Sequence, residues 1–372
     1  MKALLISHSS ALYGAQRSLL DLAIGLRGEG VQVHAAIPDR GPLGELLQKQ
    51  EIPICRLPCR NWVHSRTAYH WMRKYLLNRR HARVAESWIK HEGYDLLHTN
   101  SVVIPIGAMI AERTGIPHIW HVREGMPPRP RFFFWSLPKV KRYVMRTTKF
   151  MVGISDHTCA GMTGICPPDR IRRIYNGPVG LEELNGPIPK RPDVQGRTLR
   201  LLCVGRSSPA KGHDLAAEAV RSLRSAGVDA RLTIAGEVPD AFREQLLAIT
   251  PEIDMPGFVS DARSLYDEHD ILVMASQKEA FGRVTVEAMA RGCIVVGSQS
   301  GATPEIIHDG ENGLLFEPGN SENLAAKVQR LLDQCHRWQD IRDSARQDVR
   351  ERFTRERYAE DVAGLYREAL SS

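Results

Sequence analysis

Short apolar runs, each followed by helical periodicity, recur along this chain. Leu4-Leu5-Ile6 reads as a buried strand, and a loop containing Tyr13-Gly14-Ala15 follows it. Over residues 18–26, Leu19, Leu22, Ala23 and Leu26 fall on one helical face, and Gly28 and Gly30 end the helix. Val31, Val33 and Ala35 then alternate as the next strand, which completes a βαβ unit. The same order returns at Leu201-Leu202-Cys203-Val204, with Gly205 and Gly212 in the loop, a helix over 214–225 stopped at Gly227, and a strand over 230–235. Two such starts, about 195 residues apart, predict two doubly wound α/β domains, each built on a parallel sheet. Further strand-like runs lie at 96–98, 118–120, 150–152, 271–274 and 293–296.

Gly177, Pro178, Gly180, Gly186, Pro187, Pro189 and Pro192 concentrate chain breakers between the two halves. A linker is expected at 181–192, with one domain over 1–180 and another over 193–354. Doubly wound sheets bind ligands beyond the carboxyl ends of their strands, so the expected active site is a cleft between the domains. Near the end of the chain Tyr358, Val362, Leu365, Tyr366 and Leu370 share a helical face.

The composition, 42% hydrophobic and 25% charged over 372 residues, is that of an ordinary globular protein large enough for two cores. Charge is uneven: residues 1–190 carry 27 Lys/Arg against 14 Asp/Glu, while the whole chain is only +7. That asymmetry points to an anionic partner for the first half. The seven cysteines show no disulfide framework and no second pair at metal-ligand spacing beside Cys55 and Cys59, as expected in a reducing compartment. The first apolar run is too short for a signal peptide, and residues 102–110 are too short to span a bilayer. A cytoplasmic protein, attached at most to a membrane surface, is expected.

The loop Gly205-Arg206-Ser207-Ser208-Pro209-Ala210-Lys211-Gly212 carries two cations into a helix N-terminus. Arg presents a planar fork and Lys a point charge, and with the helix dipole they suit a diphosphate. Two solvated surface cations would give the same pattern. The run 271–275 ends in Ser276-Gln277-Lys278-Glu279-Ala280-Phe281-Gly282, and a helix over 283–290 follows. Glu279 therefore sits on the loop and Glu287 about one turn inside the helix, where carboxylates can accept sugar and ribose hydroxyls.

Glu279-x7-Glu287 with Phe281-Gly282, preceded by Gly205-Arg206-x4-Lys211-Gly212, resembles the retaining GT-B glycosyltransferases of family four. Gly14-Ala15-Gln16, Ile154-Ser155-Asp156, Tyr175-Asn176-Gly177, Gly257-Phe258-Val259, Gly301-Ala302-Thr303-Pro304-Glu305 and Asn312-Gly313-Leu314-Leu315 extend the resemblance along nearly the whole chain. It implies a GT-B fold, two Rossmann-like domains facing a central cleft, with residues 355–372 returning to the first domain. It also implies a nucleotide-diphosphate sugar as donor, its diphosphate held by Arg206 and Lys211 and its ribose by Glu287. The donor sugar would meet Glu279, the Phe281-Gly282 backbone and Arg283, and the base would meet Phe258-Val259. Gly14 and Gly205 would approach the donor, and His121 matches the family histidine near the sugar's 6-position. Asn100, Arg123, Ser155 and Asn176 fall on the acceptor side. One departure is Tyr13, which stands where the family usually has a first glycine.

The implied course is retention by front-face displacement, since no covalent nucleophile is identifiable. No Asp-x-Asp occurs, so no metal is expected on the diphosphate. Two other readings share this pattern: another GT-B enzyme such as a sugar-nucleotide 2-epimerase, and a non-catalytic sugar-nucleotide or glycan-binding protein. Residues 52–85 hold eight Arg/Lys and residues 129–149 hold seven, neither with an acid, the latter around Phe132-Phe133-Phe134-Trp135. Cations among aromatics suit an anionic membrane surface or a lipid-linked or anionic acceptor. No nucleic-acid motif accompanies them.

Overall fold

The structure, a computed structural model, describes residues 1–63, 67–125, 135–188, 194 and 196–371. The chain divides into two units, 1–178 with 354–372, and 179–353.

The first unit is built on seven parallel strands: β1 (Lys2–Ser7), β2 (Gln32–Ile37), β3 (Ile54–Arg56), β4 (Leu96–Asn100), β5 (His118–Val122), β6 (Phe150–Gly153) and β7 (Ile171–Arg173). Their order in space is β3-β2-β1-β4-β5-β6-β7, so the winding reverses between β1 and β4. Leu4 lies opposite His34 of β2 on one side and Leu97 of β4 on the other. Helices cover both faces, which is why the central strands read as continuous apolar runs rather than alternating ones. On one face α3 (Ala68–Glu92), α4 (Ile106–Thr114) and α5 (Leu137–Thr147) bury Leu4, Leu97, Trp120 and Met151. On the other, α1 (Gly14–Gly28), α2 (Pro42–Lys49) and the terminal α14 (Arg355–Ser371) bury Leu5, Ile119 and Val152. Tyr358, Val362, Leu365 and Tyr366 of α14 are buried there, whereas Leu370 is exposed.

In the second unit β8 (Leu199–Val204), β9 (Ala230–Ala235), β10 (Ile253–Gly257), β11 (Ile271–Met274), β12 (Ile294–Ser298) and β13 (Leu314–Phe316) form a parallel sheet ordered β10-β9-β8-β11-β12-β13. The reversal recurs between β8 and β11. Helix α7 (His213–Ser225) and, further along the chain, α12 (Ser321–Asp333) pack on one face.

Three differences from the sequence reading have local causes. The edge strands β3, β7 and β13 are three residues each, too short to carry a period of their own. Residues 181–188, expected in the linker, belong to the second unit. There Arg350 and Arg346 of α13 (Trp338–Arg352) donate to the carbonyls of Leu184 and Gly186, and Leu184 is buried. Trp135 is half-buried rather than fully exposed: its ring lies 5.5 Å from Trp71 and 5.3 Å from Tyr143, packed against the core between α3 and α5. Phe132, Phe133 and Phe134 lie outside the described residues. All seven cysteines are free.

Helix α14 approaches α1 closely at Gly25, where a Cβ would come within 2.7 Å of Ala359 Cβ and 3.0 Å of the Arg355 carbonyl. Gly25→Val is therefore expected to loosen α14 and cost about 1–3 kcal/mol. Urea unfolding followed by tryptophan fluorescence checks this; an unchanged midpoint would contradict the close packing.

Candidate functional site

At the reversal between β8 and β11 the strand ends release two loops toward the carboxyl edge of the sheet, where neither loop is covered by the other's crossover. The loops touch. Gln277 N–H donates to the Ala210 carbonyl at 3.1 Å, and Lys211 Nζ donates to Glu279 Oε2 at 2.8 Å. Gly212 makes the approach feasible: its φ is +65°, and a Cβ there would stand 2.5 Å from the Ala275 carbonyl. Gly212 also leads into α7, and Gly282, at φ +93°, leads into α10 (Arg283–Ala290). No side chain caps either helix.

Arg206 is well solvated. Its side chain is 75% exposed, and Glu237 Oε2 lies 3.7 Å away. The Lys211–Glu279 pair is shorter but partly solvated, and such pairs contribute about 1 kcal/mol or less. The pair therefore adds little to the fold. The Ala302 N–H holds the Glu279 carbonyl at 2.9 Å, which keeps the loop in place.

Glu287 is fixed from two sides. The Tyr266 hydroxyl donates to its Oε2 at 3.0 Å, and Arg283 reaches its Oε1 at 3.3 Å. Burial holds the Tyr266 hydroxyl well above the ordinary tyrosine pKa, so it stays a donor. Tyr266 lies on α9 (Arg263–Glu268), 21 residues before Glu287, and no local spacing announces it. Ser207 and His213 also escaped the sequence reading: Ser207 Oγ bonds His213 Nδ1 at 2.6 Å beneath the loop. Burial, then Lys211, lowers His213 to about 4, so the ring adds no charge. The Phe281 ring is buried 5.8 Å from Phe353, leaving only its backbone for a ligand. Phe258, just beyond β10, is 62% exposed, and Val259 is half-buried. Gly205 has φ +132°.

In the first unit Gly14 opens α1, exposed and without a side-chain cap before it. His121 is fully buried on β5. Its Nδ1 lies 3.1 Å from His98 Nε2, and His98 Nδ1 lies 2.7 Å from the Tyr366 hydroxyl. Desolvation, then the Arg123 charge, holds both histidines well below the usual value, so both are neutral. The Tyr366 hydroxyl, taken as the donor, gives its hydrogen to His98 Nδ1. His98 therefore donates from Nε2 to His121 Nδ1, and His121 carries its proton on Nε2. Among the described residues that buried N–H has no partner. It is a donor awaiting an acceptor.

Asn100, Arg123 and Asn176 come together. Ser155 is the N-cap of α6 (Asp156–Met162), accepting from Thr158 N–H at 3.0 Å.

The chain matches two families. Glycosyltransferase Family 4 matches residues 13–178, and Glycosyl transferases group 1 matches residues 198–334. A curated, uncharacterised glycosyltransferase of Methanocaldococcus jannaschii is 30% identical over 219 residues, 55% of each chain. The chain spans about half the length, or less, of the curated relatives it first matches. Among solved structures, a glycosyltransferase from Rickettsia africae superposes with TM-score 0.82 at 22% identity, covering 99% of this chain and 98% of that one. Anabaena HepE, crystallised with UDP, gives 0.79 at 20% identity, covering 99% and 100%.

The buried histidines make stability depend on pH. Burial lowers His118 to about 3, and His98 and His121 are also lowered well below 6.5. The unfolded chain takes up protons near pH 6.5 that the native state refuses. Their stabilisation is complete above that pH and is lost as pH falls. The urea midpoint is expected to drop between pH 6.5 and 5, above the range where carboxylates titrate; a flat midpoint across that window would refute it.

Proposed function

The chain belongs to the family-4 glycosyltransferases of GT-B fold, and we propose that it transfers a sugar from a nucleotide-diphosphate sugar to an acceptor with retention at the anomeric carbon. One observation carries this reading: at the sheet's reversal the loop after β8, bearing Arg206 and Lys211, meets the loop after β11 through the Lys211–Glu279 pair, and α10, which bears Glu287, starts from that second loop.

Arg206 and Lys211 take the diphosphate, one as a fork and one as a point charge. Glu279, released by Lys211, accepts hydrogen bonds from the donor sugar. Glu287, its carboxylate held by Tyr266 and Arg283, accepts from the ribose hydroxyls. The Phe258-Val259 backbone meets the base, the Phe281-Gly282 backbone meets the sugar, and His121 offers its Nε2–H to a sugar oxygen. In the transfer the bond from the anomeric carbon to the phosphate oxygen breaks. The acceptor oxygen bonds to the same face, and its proton passes to the departing phosphate oxygen. Arg206 and Lys211 offset the charge that develops there without a divalent ion.

A thermal-shift screen of nucleotide sugars identifies the donor, since a ligand stabilises only the folded state. With that donor, Arg206→Ala is expected to lose about 100-fold or more in nucleotide release. Its fold should persist, because the side chain is solvated. Wild-type transfer should continue in chelator. Near wild-type rates in the variant would sink the assignment, and so would release without a new glycosidic product.

The basic face of the first unit supports a membrane-bound or lipid-linked acceptor. Tyr69, Met72 and Leu76 are exposed on one side of α3, among the exposed Arg73, Arg80 and Arg83. Leu137 and Met145 are exposed on α5 near Lys139, Lys141 and Arg142. Apolar side chains ringed by cations suit the headgroup region of an anionic leaflet. Among the described residues no helix is long and apolar enough to cross a membrane. The protein is expected to co-sediment with anionic but not neutral vesicles, and Met72→Asp with Leu76→Asp should abolish it; binding to neither vesicle would remove the membrane from the reading.

A further inference from the structure

Arg123 follows directly on β5 and is only 7% exposed. Its Nε donates to Asn100 Oδ1 at 2.8 Å. One terminal nitrogen donates to Asn176 Oδ1 and the other to the Tyr358 hydroxyl at 2.5 Å. All three acceptors are neutral, and among the described residues no carboxylate pairs with this guanidinium. The adjacent Glu124 would be the natural counter-ion, but it is engaged elsewhere. Ser101 Oγ donates to its Oε1, and the Arg123 backbone N–H donates to its Oε2 at 3.2 Å. The turn that aims Ser101 is strained, with φ +103° on a buried non-glycine residue.

A guanidinium keeps its charge inside a protein, and a buried charge without a counter-charge is costly. It has five N–H bonds, of which three are used, so each terminal nitrogen keeps one. Two such N–H groups form the fork that carboxylate and phosphate oxygens fill. The location fits a ligand as well. Asn100 ends β4, Arg123 follows β5 and Asn176 follows β7, all at the carboxyl edge of the sheet.

We propose that Arg123, braced by Asn100, Asn176 and Tyr358, is a preorganised oxyanion site that takes a carboxylate or phosphate group of the acceptor. That the anion belongs to an acceptor rests on the glycosyltransferase reading; the anion site itself does not.

The test uses the full chain carrying Arg206→Ala and Lys211→Ala, which removes the two cations of the loop after β8, titrated calorimetrically with inorganic phosphate and with malonate. Binding of phosphate alone identifies a phosphorylated acceptor, binding of malonate alone a carboxylated one, and either supports the site. In this background Asn176→Asp puts a carboxylate on the fork. It is expected to weaken anion binding at least tenfold while raising the thermal midpoint. Arg123→Gln, which removes the fork, should lose binding as well. The proposal is overturned if neither probe binds the parent, or if either variant binds as tightly as the parent. It is also overturned if Asn176→Asp fails to fold, because relieving an uncompensated charge should not unfold the protein. Nucleoside diphosphates titrated into the unsubstituted chain test the donor reading separately: loss of that binding with phosphate binding intact would sink the transferase and leave the anion site.

Discussion

A parallel sheet covered by helices on both faces leaves one place where its strand ends stay open, the point at which the winding reverses. In this chain the reversal falls between β1 and β4 in one unit and between β8 and β11 in the other. Each crossover helix departs to its own side there, so the loops on either side of the reversal are free to carry polar groups. Arg206, Lys211 and Glu279 occupy the loops at one reversal, while Gly14 and Asn100 flank the other. The apolar runs that build the sheets are therefore also what brings cations and carboxylates to the same edge.

The cations of the two units are held in opposite ways. Arg206 and Lys211 are partly or largely solvated, and a pair such as Lys211–Glu279 contributes about 1 kcal/mol or less. Such a site costs the fold little while empty. Arg123 is buried among neutral oxygens, with its nearest acid turned aside by Ser101, so its geometry is set before any ligand enters. The first arrangement suits a group that must bind and then leave. The second suits a group that must be positioned.

Helix α14 joins the chain's last residues to this chemistry. Its Tyr358 accepts from Arg123, and its Tyr366 hydroxyl bonds His98, which in turn meets His121. A helix that fills the core with apolar residues thus also supplies two hydroxyls at the polar edge. The buried histidines it contacts stay neutral because desolvation outweighs any gain from charging.

Hydrophobic period alone determined the two doubly wound domains, because a strand buried on both faces must be apolar throughout and a crossover helix must be amphipathic. It also put Glu279 on a loop and Glu287 on a helix, since the boundary between them is written in Phe281-Gly282. Tertiary structure decided the rest. The three-residue edge strands exist only through pairing with a neighbour. Residues 181–188 join the second unit through arginines more than 150 residues away. Tyr266 on Glu287, Tyr358 on Arg123, Ser155 as a cap and the neutral state of His121 all depend on side chains brought together by folding. A local pattern records which face a residue presents; which charge or hydroxyl meets it there is settled only when distant elements pack.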